Sequence, residues 1–422
     1  MYQKTKLDNG LQIVTSRMPS MQSVALGIWI KVGGRYETAG NKGISHYLEH
    51  LLFKGSKKYS CRQIKESIEG VGGSLNGFTA EEYTCYLAKM PSRHLERSLD
   101  VLSDMVLNPS LCAEEVEKEK TVILEELKMY KDLPQSYVHE LLDELLWPGQ
   151  PLGMSIIGTV ESVQSIGSHS LSAYQKQYYV SPSIMVVAAG VLEHKKIVTR
   201  VKKLFSVLKG KQGTAFTKAE QGQTVPQLTI LSKDTEQTHL VLGFHSFKRG
   251  HSLRYAQSLL HIIMGANMSS RLFNEVREKR GLAYEIGTQL KRFEDAGAFL
   301  VHAGMDNNKV EEALKVVLEE LVKPKNEPVT NDEFKRAKEY YLGQLMLTLE
   351  DTLEHMLWMG EYGLMLDRVS TLNEVVREVN KVTRKDVQEV ARHLFKEENL
   401  NLALIGPLKD KEPRIRSMLH IP

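Results

Sequence analysis

Residues 43–55 read Gly-Ile-Ser-His-Tyr-Leu-Glu-His-Leu-Leu-Phe-Lys-Gly. Few of these residues are β-branched, and the stretch ends in a glycine where a left-handed C-terminal cap belongs, which predicts a single helix. His46 and His50 would then lie one turn apart on one face, and Glu49, three residues after His46, would share that face. Two imidazoles and a carboxylate on one helical face are what a catalytic zinc site with an adjacent general base requires.

A second helix is the best source of a further ligand, because a catalytic zinc usually takes three protein ligands and keeps a fourth position for water. Residues 114–128 are strongly helical by composition. Within them Glu119 and Glu126 lie two turns apart, on the face that also carries the apolar residues. Carboxylates that face a core need a partner, and a metal would supply one. The spacing leaves both glutamates as candidate ligands.

The motif itself resembles that of a known family. His-x-x-Glu-His is the inverted zinc motif of the inverzincins. The residues around it resemble the pitrilysin family of zinc peptidases, in the branch that holds the mitochondrial processing peptidase β subunit and its bacterial relatives, and this resemblance covers essentially the whole chain. It implies that His46, His50 and Glu126 bind Zn²⁺, one ion per chain. It also implies that Glu49 is the general base and that Glu119 supports the metal ligands without binding the metal itself.

The stretch 74–89 is predicted to form two strands joined near residues 80–81, similar to the edge strand that lies beside the zinc in this family. The resemblance implies that an extended substrate adds to this edge as another strand through backbone hydrogen bonds. The substrate-binding residues implied in this way are Asn76, Gly77, Phe78 and Thr79. Glycine at position 77 departs from the alanine that is commoner in the family.

Residues 269–284 closely resemble the family segment that contributes an arginine and a tyrosine to the active site. The matching residues are Arg277 and Tyr284. By this resemblance Arg277 would bind backbone carbonyls of the substrate. Tyr284 would donate a hydrogen bond to the substrate or to the developing oxyanion. From composition alone the two residues read as an exposed helix charge and a strand tyrosine.

The chain has 422 residues, which is too long for one ordinary core. We predict an N-terminal metal-binding peptidase domain at 1–208, a Gly-, Gln- and Lys-rich linker at 209–226, and a C-terminal domain at 227–422. The predicted fold class is α+β, with two similar α/β-sandwich domains from an internal duplication. Each would be a mostly antiparallel sheet with helices packed on it, and together they would form a clam-shell.

The second half repeats the first in its order of predicted elements. Strands are predicted near 227–232 and 238–245, followed by a helix at 251–265. Aligning the two halves by hand places the zinc motif opposite three residues that include one histidine, namely Gln257, Leu260 and His261. We therefore predict a second domain without metal, which completes the substrate site, and we interpret His261 as a core histidine.

The composition is that of an ordinary soluble protein, with 42% apolar and 25% charged residues. A net charge of +3 is too small to indicate nucleic acid or an anionic membrane as a partner. There is no apolar run of about 18 residues and no apolar signal core at the N-terminus. Three scattered cysteines suit reduced thiols, so we expect a cytoplasmic location.

These observations predict a zinc endopeptidase that hydrolyses peptides or unfolded polypeptide segments in a cleft between two domains. The alternative from another class is a noncatalytic peptide-binding or assembly subunit of a processing-peptidase-like complex. A two-His-one-carboxylate iron oxygenase would leave Glu49 without a role, and a surface helix with incidental His and Glu would not explain the distal glutamates. The family resemblance further implies a homodimer.

Overall fold

The computed structural model describes residues 2–208, 210 and 215–421. The chain forms two compact units, and neither is continuous in sequence. The first unit consists of Met1–Lys128, Met154–Thr217 and Met346–Thr371, and the second of Met129–Gly153, Lys218–Leu345 and Leu372–Pro422. Of the predicted linker 209–226, residues 209 and 211–214 lie outside the described residues.

Eleven strands are found in the described part of the chain, six in the first unit and five in the second. In chain order they are β1 Tyr2–Lys6, β2 Gln12–Arg17, β3 Ser23–Ile30, β4 Ser74–Thr79, β5 Thr84–Pro91, β6 Ile184–Gly190, β7 Gln227–Ser232, β8 Thr238–His245, β9 Ala283–Arg292, β10 Gly297–Met305 and β11 Asn401–Gly406.

Along the chain, fifteen helices alternate with these strands in the described residues. They are α1 Ile44–Leu52, α2 Cys61–Ile68, α3 Leu95–Leu107, α4 Ala113–Asp132, α5 Pro134–Leu146, α6 Val160–Ser165, α7 Ser168–Tyr178, α8 His194–Leu204, α9 Arg254–Gly265, α10 Val310–Asn326, α11 Asn331–Glu350, α12 Thr352–Leu366, α13 Leu372–Lys381, α14 Arg384–Leu394 and α15 Glu412–Ser417. A π-helical turn spans Phe273–Glu278. Among the described residues, no helix combines the length and the apolar character needed to cross a membrane.

The first sheet has the strand order β1-β2-β6-β3-β5-β4. Only β2 and β6 run parallel, and all the other neighbours are antiparallel. Its central strands are buried on both faces, so β3 and β6 read as nearly continuous apolar runs. The strand β4 lies at one end of the order and is therefore an edge strand.

The second sheet repeats this arrangement with the order β7-β11-β8-β10-β9. Its one parallel pair is β7 with β11, which corresponds to β2 with β6, and the rest are antiparallel. Strand for strand it matches the first sheet without β1. The predicted fold class, α+β with two similar, mostly antiparallel sheets covered by helices, is thus confirmed, and the matching orders are what an internal duplication produces.

Two helices, α5 and α12, are exchanged between the halves of the sequence. The helix α5, from the first half, packs on β8 and β11 of the second unit, and α12, from the second half, packs on β3 and β6 of the first unit. Both contacts are close. A Cβ at Gly360 of α12 would lie 2.1 Å from the Trp29 ring, and one at Gly243 of β8 would lie 2.9 Å from Leu142 of α5.

The exchange makes the compact units differ from the continuous domains 1–208 and 227–422 predicted from sequence. The helix α5 lies within the predicted first domain, 1–208, but its residues Val138, Leu142 and Leu146 belong to the core of the second sheet. The reason is that each sheet has two apolar faces, and the helix that covers the second face comes from the other half of the chain. The sequence boundary at 209–226 stays a prediction.

Candidate metal centre

The motif helix α1 is capped by a side chain that precedes it. Its N-cap is Gly43, at φ +91°, where a Cβ would lie 2.2 Å from the carbonyl oxygen of Ile157. Glu37 supplies the missing acceptors, because its carboxylate accepts from the backbone N–H of Gly43 at 2.9 Å and of Ser45 at 2.8 Å. Acceptors at this position satisfy the unpaired N–H groups of the first turn.

Glu37 is itself buried with a cation beside it. The Nζ atom of Lys42 lies 3.5 Å from Glu37 Oε2 and donates to the carbonyl oxygen of Gly34 at 2.7 Å. Burial raises the pKa of Glu37 and lowers that of Lys42, and the attraction between the two opposes both shifts. This pair could not be predicted from the sequence, since neither residue belongs to the zinc motif or to a periodic pattern.

Three of the residues that the sequence singled out come together between α1 and α4. His46 Nε2 lies 3.8 Å from Glu126 Oε2, and His50 Nε2 lies 3.6 Å from the same oxygen. The two imidazole centroids are 4.5 Å apart. Among the described residues, these three form the one group of three or more His, Cys, Asp or Glu side chains whose ligand atoms all lie within 4.8 Å of one another.

The geometry and chemistry of this group fit zinc. Tetrahedral bonds to nitrogen and carboxylate oxygen put ligand atoms about 3.3–3.6 Å apart, close to the separations between Glu126 Oε2 and the two imidazoles. Burial, and the neighbouring His50, lower the pKa of His46 to about 3, so its ring is neutral and can offer a lone pair. Burial raises the pKa of Glu126. His50 opposes this rise, and the negative charge of Glu119 adds to it.

Glu119 supports this group from the side. Its Oε1 atom lies 2.8 Å from His50 Nδ1, and its Oε2 atom lies 2.6 Å from Lys54 Nζ. A carboxylate accepts at Nδ1–H and so leaves the Nε2 lone pair of His50 pointing towards Glu126, which is how outer carboxylates orient metal-binding histidines. Burial raises the pKa of Glu119, but its bonds to His50 and Lys54 outweigh this and hold it below the ordinary value.

Glu49 lies on the same helix but takes no part in the ligand group. It is buried, and its Oε2 atom accepts a hydrogen bond from Thr79 Oγ1 at 3.1 Å. A Cβ at Gly77 would lie 3.0 Å from its other oxygen, so glycine leaves room for the carboxylate. Burial raises the pKa of Glu49, and Glu126 adds to the rise, while His50 and Thr79 oppose it.

The predicted substrate strand is the edge strand β4, whose side chains alternate between two faces. Gly77 and Thr79 face Glu49, as described. Phe78 faces the opposite side, where its ring packs edge-on against Trp29 at 5.8 Å. Asn76, two residues before Phe78, accepts from the backbone N–H of Gly77. The strand thus offers its backbone along a free edge next to Glu49.

Arg277 and Tyr284 belong to the second unit. Arg277 lies in the π-helical turn, with its guanidinium 4.8 Å from the Phe273 ring centroid and 5.5 Å from that of Tyr284. Tyr284 is the second residue of β9 and is 73% exposed. The two side chains are therefore neighbours, and their role at the metal centre stays a prediction.

The second-unit residues aligned with the motif lie on α9, a helix placed like α1. Gln257 is fully buried, and neither polar atom of its side chain has a hydrogen-bond partner among the described residues. His261 Nδ1 lies 2.7 Å from Thr288 Oγ1. Burial, together with the positive charge of Arg292, lowers the pKa of His261 to about 4. His261 is thus a hydrogen-bonded, neutral histidine.

Comparisons with known proteins agree with these observations. Residues 12–160 match the family model described as Insulinase (Peptidase family M16), and residues 165–341 match the Peptidase M16 inactive domain. The chain is 38% identical to the "Uncharacterized zinc protease YmxG" of Bacillus subtilis, over 96% of this chain and 98% of that protein. It is 37% identical to an "Uncharacterized zinc protease" of Streptomyces coelicolor, over 99% and 91% of the two chains.

Solved structures share the fold. A protease from Helicobacter pylori matches with a TM-score of 0.90 at 23% identity, over 96% of this chain and 99% of that one. A Pseudomonas fluorescens protein described as a peptidase M16 inactive domain matches with a TM-score of 0.89 at 18% identity, over 96% and 98%. The chain belongs to the M16 (insulinase/pitrilysin) family of zinc proteases, which confirms the predicted resemblance.

Proposed function

We propose that this protein is a zinc-dependent endopeptidase that hydrolyses peptides or unfolded polypeptide segments, with one zinc ion per chain. The observation that carries the proposal is the convergence of His46, His50 and Glu126 beside a fourth residue, Glu49, that is not needed as a ligand. Three ligands with an adjacent free carboxylate are the composition of a catalytic zinc site, whereas a structural site uses four ligands.

Each residue has a defined task in this proposal. Zinc held by the three ligands would act as a Lewis acid towards an attacking water and the scissile carbonyl. Glu49 accepts the proton of the water and later delivers it to the leaving amine. The raised pKa of Glu49 suits it to both steps, because a base whose pKa lies closer to neutrality can also act as an acid. Thr79 holds the carboxylate in place.

The edge strand β4 supports an extended peptide as the substrate. A peptide added to a sheet edge is held through backbone hydrogen bonds, which tolerate many sequences. The hydrogen bond from Thr79 of this strand to Glu49 supports a scissile bond near the general base. By family resemblance we further propose that Arg277 binds the substrate backbone and that Tyr284 donates to the oxyanion, so that the second half completes the site in a cleft between two domains.

The runner-up is a noncatalytic peptide-binding or assembly subunit. It would need the sheet edge but neither a general base nor a complete ligand set. The presence of Glu49, His46, His50 and Glu126 together therefore favours the enzyme. A homodimer and a cytoplasmic location are further parts of the proposal. The resemblance supports the first, and the three unpaired cysteines, Cys61, Cys85 and Cys112, suit the second.

The proposal is tested by zinc content and cleavage of a mixed unfolded-peptide library, measured on wild type, Glu126→Gln and Glu49→Gln. We expect about one zinc per wild-type chain. Glu126→Gln should lose zinc and cleavage together. Glu49→Gln should keep zinc and lose about 10²–10⁴-fold in turnover, the usual contribution of a general base.

Three results would count against these assignments. Zinc that persists in Glu126→Gln would move the third ligand elsewhere, with Glu119 next in line. Turnover that survives in Glu49→Gln would remove this residue as the base. Zinc in the wild type without cleavage of any peptide would favour the binding-subunit interpretation.

A further inference from the structure

Among the described residues, Lys54 is the one lysine or arginine that forms an ion pair with Glu119, the carboxylate behind the metal centre. Its Nζ atom lies 2.6 Å from Glu119 Oε2, while Glu119 Oε1 lies 2.8 Å from the Nδ1 atom of His50. The side chain of Glu119 is 6% exposed and that of Lys54 is 31% exposed. This pair thus differs from the many exposed i,i+3 and i,i+4 pairs of the chain, of which Lys118 with Glu114 is an example.

The contact joins the two segments that carry the proposed ligands. Lys54 follows α1 directly, and its backbone N–H donates to the carbonyl oxygen of Leu51, so its position is tied to the end of that helix. Glu119 lies in α4, two turns before Glu126 on the same face. With one donor on each oxygen, the carboxylate of Glu119 cannot turn without losing a charge-assisted hydrogen bond.

The orientation of Glu119 matters because it fixes the ring of His50. An acceptor at Nδ1 sets the tautomer whose Nε2 lone pair points at Glu126 Oε2, 3.6 Å away. If Lys54 is removed, one oxygen of a buried carboxylate loses its donor. Rotation of the carboxylate, or a water bound in place of the lysine, would then loosen its bond to His50.

We propose that Lys54 is a positioning residue of the metal centre, which holds Glu119 in the orientation that aligns His50 for zinc. The inference rests on the proposed zinc site. Among the described residues, Lys54 forms an ion pair with Glu119 and no hydrogen bond or ion pair with the ligands or the general base, so its effect passes through Glu119. An ordinary exposed ion pair, by contrast, would contribute little to the stability of the protein.

The experiment compares Lys54→Met, which keeps the apolar stem without the charge, with Lys54→Arg, which keeps a cationic donor. Lys118→Met is the matched control, because it removes a lysine paired to glutamates on the solvated side of α4 and changes the net charge equally. Zinc affinity is measured by competition with a chromophoric chelator on the full chain. The tautomer of His50 is measured on the zinc-free protein by ¹⁵N shifts of labelled histidine. Burial lowers the pKa of His50, but Glu119, Glu49 and Glu126 outweigh it and raise this pKa, so the spectra are recorded at alkaline pH, where the ring is neutral.

We expect Lys54→Met to weaken zinc binding about 10–100-fold, the range for groups that support a metal ligand. Its His50 should show a mixture of tautomers where the wild type shows one. Lys54→Arg should recover most of the affinity, and Lys118→Met should match the wild type. Lys54→Gln, which can still donate to Glu119, should fall between Met and Arg and serves as the second variant if Lys54→Met does not fold.

The inference would be overturned if Lys54→Met and Lys54→Gln both showed the zinc affinity and the His50 tautomer of the wild type. So would an equal loss in Lys118→Met, which would indicate a general effect of charge. A wild type that binds no zinc would instead overturn the proposed function. The tautomer of His50 would still decide the role of Lys54 in that case.

Discussion

The helices α1 and α4 contribute side chains to the core of the first sheet, and α9 and α11 contribute to that of the second, but only the first pair carries the proposed metal-binding side chains. Both α4 and α11 have 20 residues. Counted from their first residues, Glu119 and Glu126 fall opposite Ala337 and Gln344. In the second pair every proposed ligand has been replaced except one histidine.

The difference shows that the fold does not depend on the site. The second sheet and its helices assemble with the same strand order, although Gln257, Leu260, Ala337 and Gln344 stand at the positions of His46, Glu49, Glu119 and Glu126. The metal centre is thus a small set of side chains placed on a scaffold that is stable without them, as expected if function is grafted onto a fold. Substitutions that make one unit resemble the other test this view directly.

The largest effect is expected from His46→Gln, which gives α1 the residue that α9 has. Only two proposed ligands would remain, so zinc binding and peptide cleavage should both fall to background, beyond the roughly 10–100-fold loss typical of an outer partner. The matched control is His261→Gln, the same change on α9, which should keep zinc and cleavage. Equal losses in both variants, measured by metal analysis and peptide assay, would contradict the distinction between the two units.

A smaller effect, on stability, is expected from Glu37→Gln. The change removes one charge of the buried pair with Lys42 and turns an amide donor towards the N–H groups that Glu37 accepts from. Breaking a buried pair costs about 3–5 kcal/mol, to be read from urea unfolding. The helix α9 has no carboxylate in this place, since the backbone N–H of its N-cap Leu253 donates to Nδ1 of His251 at 3.1 Å.

The control for this variant is Glu117→Gln, which breaks an exposed pair with Lys120 and should cost less than about 1 kcal/mol. Hydrogen exchange should speed up first in peptides from α1, and later or not at all in peptides from α9. Equal costs for the two glutamine variants would show that the capping carboxylate of α1 is not special.

The smallest effect is a pH dependence of stability to which His261 of α9 should contribute. His261 has its pKa lowered from 6.5 to about 4 by burial, so it is neutral in the folded chain and protonated in the unfolded chain between those values. The unfolded state then binds more protons, and the free energy of unfolding should decrease as pH falls from 6.5 to 4, by at most about 1.4 kcal/mol per pH unit. Above pH 6.5 this contribution is constant.

His261→Gln should flatten this slope relative to the wild type, when unfolding is followed by urea titration at each pH. The comparison of the two proteins cancels the titration of all other groups. If the free energy of unfolding has the same slope against pH in wild type and variant, the pKa of His261 is the same in the folded and the unfolded chain.

Features set by local spacing could be predicted from the sequence. The helix over 43–55, the inward face of Glu119 and Glu126, and the strands at 227–232 and 238–245 follow from periodicity within a single element, and the structure has them at or near those bounds. The family resemblance added the choice of Glu126 over Glu119 as the inner residue, which matches its separation from the two histidines.

Features set by the packing of distant elements could not be predicted. Glu37 and Lys54 look like ordinary charges in the sequence, and their roles arise only when α1 meets a preceding turn and α4. The exchange of α5 and α12 could not be predicted from the sequence for the same reason. Periodicity tells which face of a helix is apolar, but it does not tell which of two similar sheets that face will cover.

The exchange of α12 also sets the order in which the protein can be completed during synthesis. The last strand of the first sheet, β6, ends at residue 190, but α12, which covers one face of that sheet, ends 176 residues later at 366. At ribosomal speeds of 5–20 residues per second this delay is roughly 10–35 s. During that interval the nascent chain carries an uncovered apolar surface around Trp29 and Met185, and this surface is what a chaperone at the ribosome would meet.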